Sequence, residues 1–287
     1  MMVGSVVAIL DGFWRNQPVQ VALLVGGGAA LVSAVVGVFT VLRGQAFAGH
    51  ALADVSSAGG SASLLFGVRP LLGFFAMAAL AAGGMEGLGA RAVRERDLVT
   101  GIVLGAGLGL TALLLYFDMT RTAASGAAAS VMFGSIFALA PGMVPLALGF
   151  SAAALAVSAA LYRPLLLIAL DPDLAAIRGV RVRAMGLAHL LVLAAAVSLA
   201  AMTIGAILAT AMLIGPAACG LRLARRTGTA IVIAAGLGLL AMWGGIFLAY
   251  VSFYWTSGQG WPVSFFVVAI IVGAYALSGA FNRWRVR

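Results

Sequence analysis

Lysine is absent from the 287 residues, and charge of any kind is scarce, with Asp, Glu, Lys and Arg together only 9%. A Walker-type phosphate loop ends in Gly-Lys-Ser/Thr, so this chain carries no such loop. One cysteine, Cys219, excludes an intrachain disulfide framework and a thiolate cluster for zinc. No His-Glu-x-x-His zinc motif and no Gly-x-Ser-x-Gly nucleophile with a suitable histidine appears, which excludes the common intramembrane hydrolases. What remains is apolar: 63% of residues are hydrophobic and the mean hydropathy is +1.15, far outside the range of water-soluble domains.

Such a chain is an integral membrane protein. A helical crossing needs about 20 mostly apolar residues, and residues 22–42 and 98–117 are almost continuously apolar rather than alternating as barrel strands would be. The expected fold is all-α, a polytopic transmembrane bundle of about 8–9 spans forming one domain over residues 1–287. Spans are expected near 22–42, 45–66, 70–90, 98–117, 143–162, 184–203, 204–221, 229–251 and 263–281, with a tight turn near Thr203 and Gly205. Residues 120–142 are too short and too rich in Ser, Thr and Gly for a full crossing and are expected to form a half-helix inside the bundle. The segment Met1–Trp14 has no basic residue ahead of its apolar run, which argues against a cleaved signal peptide and for a short interfacial helix.

All 17 basic residues are arginines, and the pI is near 11.2. They do not form a nucleic-acid surface, because they are spread over short segments between spans. With the first span running inward, Arg43, Arg91, Arg94, Arg96, Arg163, Arg178, Arg181, Arg183, Arg222, Arg225, Arg226, Arg283, Arg285 and Arg287 share one side, and only Arg15, Arg69 and Arg121 lie opposite. The positive-inside rule makes the richer side cytoplasmic. The N-terminus is then outside and the C-terminus inside.

The longest cytoplasmic connection holds residues 171–182, Asp-Pro-Asp-Leu-Ala-Ala-Ile-Arg-Gly-Val-Arg-Val. Proline fits the first helical turn, and carboxylates favour the positive end of the helix dipole. Asp171, Pro172 and Asp173 therefore start a short helix that Gly179 ends, with Ala175 and Ala176 expected at exposed positions. Its shape suits either a capped loop or a helix that fits a groove on a cytoplasmic partner.

Asp54 is expected near the midplane of the second span. An Asp at a helix centre costs roughly 2.5–3.5 kcal/mol on insertion scales, so it should face a pathway or a partner. His50 lies four residues earlier and shares its helical face. At about 1.5 Å rise per residue from Arg43, the two sit roughly 10–17 Å deep. Imidazole plus carboxylate is a donor set acceptable to Zn, Mn or Fe(II), whereas Cu(I) prefers sulfur ligands; a structural polar pair is the alternative. Glu86 is a weaker candidate, able to pair with Arg91 or Arg94 at a helix end. His189 and Cys219 read as packing residues, and Asp118 and Tyr254 as outer span-end residues within reach of an external protein.

Three stretches resemble the metal-type ABC permease family: the Asp-Pro-acidic-x-Ala run and Gly-Val pair within 171–182; residues 204–226 with their Pro-Ala-Ala and basic exit; and residues 37–50, a first-span exit through Arg43 into a Gly-led polar motif. With the order and spacing of the spans, the similarity covers nearly the whole chain. It departs from the family in one place, where His50 precedes Asp54 and the usual order is Asp then His. The resemblance implies the membrane permease of an ATP-driven importer for a divalent metal ion, zinc first and manganese next, itself no enzyme and holding no permanent cofactor. It also implies a homodimer of permeases in the bacterial inner membrane, a separate cytoplasmic ATPase engaged through 171–182, and an extracytoplasmic metal-binding protein. A stand-alone ion-coupled carrier or channel is the rival reading, and it leaves the Asp-Pro helix unexplained.

Overall fold

The computed structural model describes residues 11–88, 93–121, 126–255 and 260–285, and every regular element among them is helical. In chain order these are α1 (Gln17–Leu42), α2 (Ala46–Phe66), α3 (Pro70–Gly87), α4 (Val93–Arg121), the short α5 (Ala127–Phe133), α6 (Val144–Ala160), α7 (Tyr162–Leu170), α8 (Pro172–Ile177), α9 (Val182–Ile204), α10 (Ala206–Leu223), α11 (Thr227–Trp255) and α12 (Val263–Arg285). Pro18, Pro70, Pro145 and Pro172 each stand in a first helical turn, where the missing amide hydrogen is no loss. Most of the expected segment Met1–Trp14 lies outside the described residues; residues 11–15 are helical.

Among the described residues, eight helices are long and apolar enough to cross a membrane. The helix missing from that set is α2, which at 21 residues is as long as a span, so nine span-length helices match the nine expected segments. Its His50, Asp54 and four serines lower its hydropathy, and its surroundings compensate. It packs on α3, α4, α9 and α10 rather than facing lipid, and Ser56, Ser57, Ser61 and Ser63 each donate to a carbonyl of their own helix. Gly59 and Gly73 let α2 and α3 approach so closely that a methyl group on either would strike the other's carbonyl.

The expected tight turn falls at Gly205, where φ is +91° and ψ is 154°. Only glycine populates that region readily. A side chain there would also strike the backbone of Met132 and Phe133, so the α9–α10 turn rests on the end of α5. Val131 of α5 and Ile136 just beyond it are buried. The half-helix expected within residues 120–142 is therefore present, and it braces this turn. A seven-residue helix cannot span, and here Val131 turns into the bundle while Met132 and Phe133 are exposed.

One cavity of about 490 Å³ is lined by Arg43, Glu86, Arg96 and Arg183, from the α1–α2 turn, the end of α3 and the starts of α4 and α9. These four segments therefore meet at one end of the bundle.

Candidate metal site

On α2 the i, i+4 spacing brings His50 Nε2 within 3.5 Å of Asp54 Oδ2. The imidazole is the more open partner, with 43% of its side chain exposed against 15% for the carboxylate. Both can therefore turn toward the same space while Asp54 stays shielded from bulk water. Among the described residues no third His, Cys, Asp or Glu joins them. One chain thus offers one nitrogen and one carboxylate donor, short of the four ligands of a closed zinc site.

A residue without a sequence signature completes the arrangement. Thr210 of α10 places its Oγ1 3.0 Å from His50 Nδ1. When Nδ1 carries the proton and donates to this hydroxyl, the lone pair is left on Nε2, the nitrogen beside Asp54. Such an outer hydrogen bond fixes both tautomer and ring orientation of a ligating histidine. Ser57 Oγ lies 3.0 Å from Thr111 Oγ1 of α4, and Thr111 Oγ1 lies 2.8 Å from Gly107 O. Each hydroxyl has one hydrogen to share between its own helix carbonyl and the other hydroxyl, so either can donate across this α2–α4 contact one turn beyond Asp54.

The remaining candidates separate from this pair. Glu86 Oε1 lies 3.6 Å from Arg183 Nε, and Arg183 Nη2 donates to Glu86 O at 3.4 Å. The partner is thus on α9; of the two partners expected, Arg91 and the side chain of Arg94 lie outside the described residues. His189 is buried, 2% exposed, with Nε2 3.3 Å from Thr40 Oγ1. Thr40 spends its hydrogen on Val36 O, so His189 donates, as a packing histidine should. Cys219 is buried. Asp118 is also buried, at 1% exposure, which removes it from any surface for an external protein, whereas Tyr254 is exposed and lies against Tyr250.

The helix α8 forms as its sequence demands. Asp171 Oδ1 accepts from Asp173 N at 2.9 Å and Leu174 N at 3.0 Å, Pro172 occupies the first turn, and Gly179 ends the segment at φ +82°. One expectation is corrected. Ala176 is exposed, but Ala175 is fully buried, because this face of α8 turns back onto α7 and α9. The outward face carries Leu174 and Ile177, 39% and 83% exposed, with Leu170 at 78% just before it. Asp171, Pro172 and Asp173 are exposed as well.

Comparison with known proteins agrees with this architecture. The sequence profile described as the ABC 3 transport family matches residues 16–278. The "Manganese import system permease protein ScaB" of Streptococcus parasanguinis is 30% identical over 244 residues, 84% of this chain and 85% of that protein. The "Manganese transport system membrane protein MntC" of Listeria monocytogenes is 26% identical over 242 residues, 84% of this chain and 85% of its own. Among solved structures, "PsaBC from Streptococcus pneumoniae in complex with Fab" superposes with a TM-score of 0.79 at 24% identity, covering 95% of both chains.

Proposed function

The chain belongs to the ABC 3 transport family and is the membrane permease subunit of a metal ABC importer; from that premise we propose that its cargo is manganese, with zinc second. The sequence alone ranks zinc first. The names of the relatives in Streptococcus and Listeria, both manganese systems, reverse the order. ATP hydrolysis belongs to a separate ATPase subunit, and a solute-binding protein supplies the ion. The stand-alone carrier reading falls with the family assignment.

The observation that carries the site is the His50–Asp54 pair on the one span-length helix too polar to count as an apolar span. We assign it as a transient station for the ion. Two permeases around a two-fold axis would bring two imidazoles and two carboxylates to one place, a mixed set that suits a weakly bound divalent ion. Manganese binds N and O ligands more weakly than zinc does. A station with few ligands therefore releases it, while tighter-binding zinc would dwell. The exchange of His and Asp along α2 leaves both donors on one face, so the station keeps its composition.

The coupling role falls to 171–182. ATP-driven closure of the ATPases would press on the face bearing Leu174 and Ile177, and α8 would pass the displacement to α7 and α9, against which Ala175 is packed. We place the N-terminus outside and the C-terminus in the cytoplasm from the arginine distribution. The permease makes and breaks no covalent bond.

The test is ATP-dependent uptake in proteoliposomes holding the permease, its ATPase and its binding protein. Manganese uptake exceeding zinc uptake supports the cargo. Zinc carried faster at equal occupancy of the binding protein reverses the assignment, and uptake independent of ATP would remove the importer reading altogether.

A further inference from the structure

The arginine-rich end of the bundle holds a cavity apart from the His50–Asp54 pair. Its volume is about 490 Å³, and neither His50 nor Asp54 lines it. Three guanidiniums, Arg43, Arg96 and Arg183, meet there with two carboxylates, Glu86 and Asp97, so the charged lining is net positive. Glu86 is already engaged by Arg183 at 3.6 Å. Arg43 has its Nη1 buried with no hydrogen-bond partner, and beside it Gln45 has a buried, unpartnered side-chain oxygen. A buried guanidinium nitrogen left unmatched is costly, because desolvation is not returned by any bond.

The electrostatics point the same way. The Arg43 guanidinium is pushed down to about 10, first by burial and second by the Arg96 charge, with Glu86 opposing only in part. It stays charged at neutral pH, in a site that favours an added negative charge. A divalent cation is the wrong occupant here.

The apolar part of the lining tells which anion fits. Met85, Ile168 and Leu190 face the same cavity. Next to it, sharing Glu86 and Arg183, a second space of about 560 Å³ adds Arg181 and is lined by Gly83 and Gly87 of α3 and Ala184 and Leu187 of α9. No neighbour stands over Gly83 or Gly87, so this groove is open along α3. A polar head with an apolar tail matches such a lining better than a small soluble anion does. Basic pockets between helices on the cytoplasmic side are a known setting for anionic headgroups.

We propose that this cavity binds a phosphate-bearing anion, an anionic phospholipid whose headgroup phosphate sits on Arg43 and Arg96 while its chains leave along the α3–α9 groove. Pro172 of α8 also lines the cavity. A bound headgroup therefore touches the α1–α2 turn, the start of α4 and the coupling helix together, and lipid occupancy would tune how firmly α8 is held. The inference does not depend on which metal is carried.

The experiment uses the complete permease–ATPase complex. After exchange into phosphatidylcholine nanodiscs containing phosphatidylglycerol and then detergent extraction, retained lipid is counted by native mass spectrometry. The wild type should keep phosphatidylglycerol over phosphatidylcholine. Arg43→Gln and Arg96→Gln should each weaken retention about fivefold, the equivalent of about 1 kcal/mol for one arginine, whereas Arg225→Gln, an exposed arginine outside the cavity, should not. A parallel arm adds millimolar inorganic phosphate. If it displaces the lipid without itself altering ATPase activity, the lipid is the occupant; if phosphate alone reproduces the lipid's effect in pure phosphatidylcholine, the same site serves a soluble anion. Should Arg43→Gln misfold, Arg96→Gln decides alone. Equal retention by the wild type, the cavity variants and Arg225→Gln overturns the proposal, as does no selective retention by the wild type.

Discussion

His50 Nδ1 and Thr210 Oγ1 stand 3.0 Å apart across a sequence separation of 160 residues. The contact joins α2 to α10 and determines which imidazole nitrogen faces Asp54. If the pair receives a metal ion, Thr210 is a positioning residue: it touches His50 and leaves the ion to Nε2 and the carboxylate.

Removing the hydroxyl in Thr210→Val should reduce manganese transport about 10- to 100-fold, the usual cost of losing an outer partner of a ligating histidine. Thr210→Ser should restore most of it. The discriminating readout is this rescue, since Ser keeps the hydroxyl that holds His50 Nδ1 while Val keeps only the shape. A Val variant with the wild-type rate would show that the contact only packs helices.

The fold was largely legible because bilayer thickness and helical rise set span length, and composition does the rest. Even α2 could be drawn, since His50 and Asp54 sit in a run of small residues long enough to cross. What the sequence leaves out has a common cause, which is that sequence neighbours are not spatial neighbours. Sequence suggests for Glu86 the arginines that follow it, and gives no sign that Arg183 reaches it from α9. Nothing in the sequence marks Ala175 as buried, because a six-residue helix has too few turns to reveal its inner face. Thr210, one hydroxyl in an alanine-rich helix, carries no local signal at all.

Gly205 gives a test of the brace between α5 and the α9–α10 turn. Gly205→Ala must adopt a backbone region that costs about 1–3 kcal/mol and must also push aside the backbone of Met132 and Phe133. Thermal unfolding in detergent should shift downward by several degrees. An unchanged midpoint would mean that this turn is loosely held.

The two faces of α8 should respond oppositely. Ile177→Glu, at an exposed position, should leave stability within about 0.5 kcal/mol while uncoupling ATP hydrolysis from metal uptake. Ala175→Glu buries an unpaired carboxylate and should cost at least about 2 kcal/mol, seen as lost expression or early unfolding. Normal coupled uptake by Ile177→Glu would remove this helix as the ATPase contact.

Orientation is open to single-cysteine labelling on a Cys219→Ser background. Thr227→Cys, at the start of α11, should react with a membrane-impermeant maleimide only after the cytoplasmic side is opened. Trp261→Cys, exposed ahead of α12, should react in intact cells. The reverse pattern would invert every partner assignment, because the ATPase and the binding protein must meet opposite ends of the bundle.

The strictest test of the His50–Asp54 station lies in its order along α2. Asp54→Asn keeps the shape of the side chain and removes the charge that offsets a divalent cation where the dielectric is low. Losing about 1.4 kcal/mol there is already tenfold, so uptake should fall at least about tenfold while ATP hydrolysis and docking of the binding protein persist. The double exchange His50→Asp with Asp54→His presents the same two donors on the same face in opposite order, as far as the i, i+4 geometry is concerned. It moves the imidazole one turn away from Thr210, however, and so loses the hydrogen bond that fixes its tautomer. Uptake by the double variant should therefore lie between the wild type and Asp54→Asn, and adding Thr210→Val to it should change little, because the partner has already gone. If Asp54→Asn and His50→Ala each carry manganese at the normal rate, the pair is a structural contact and the ion takes another route through the bundle.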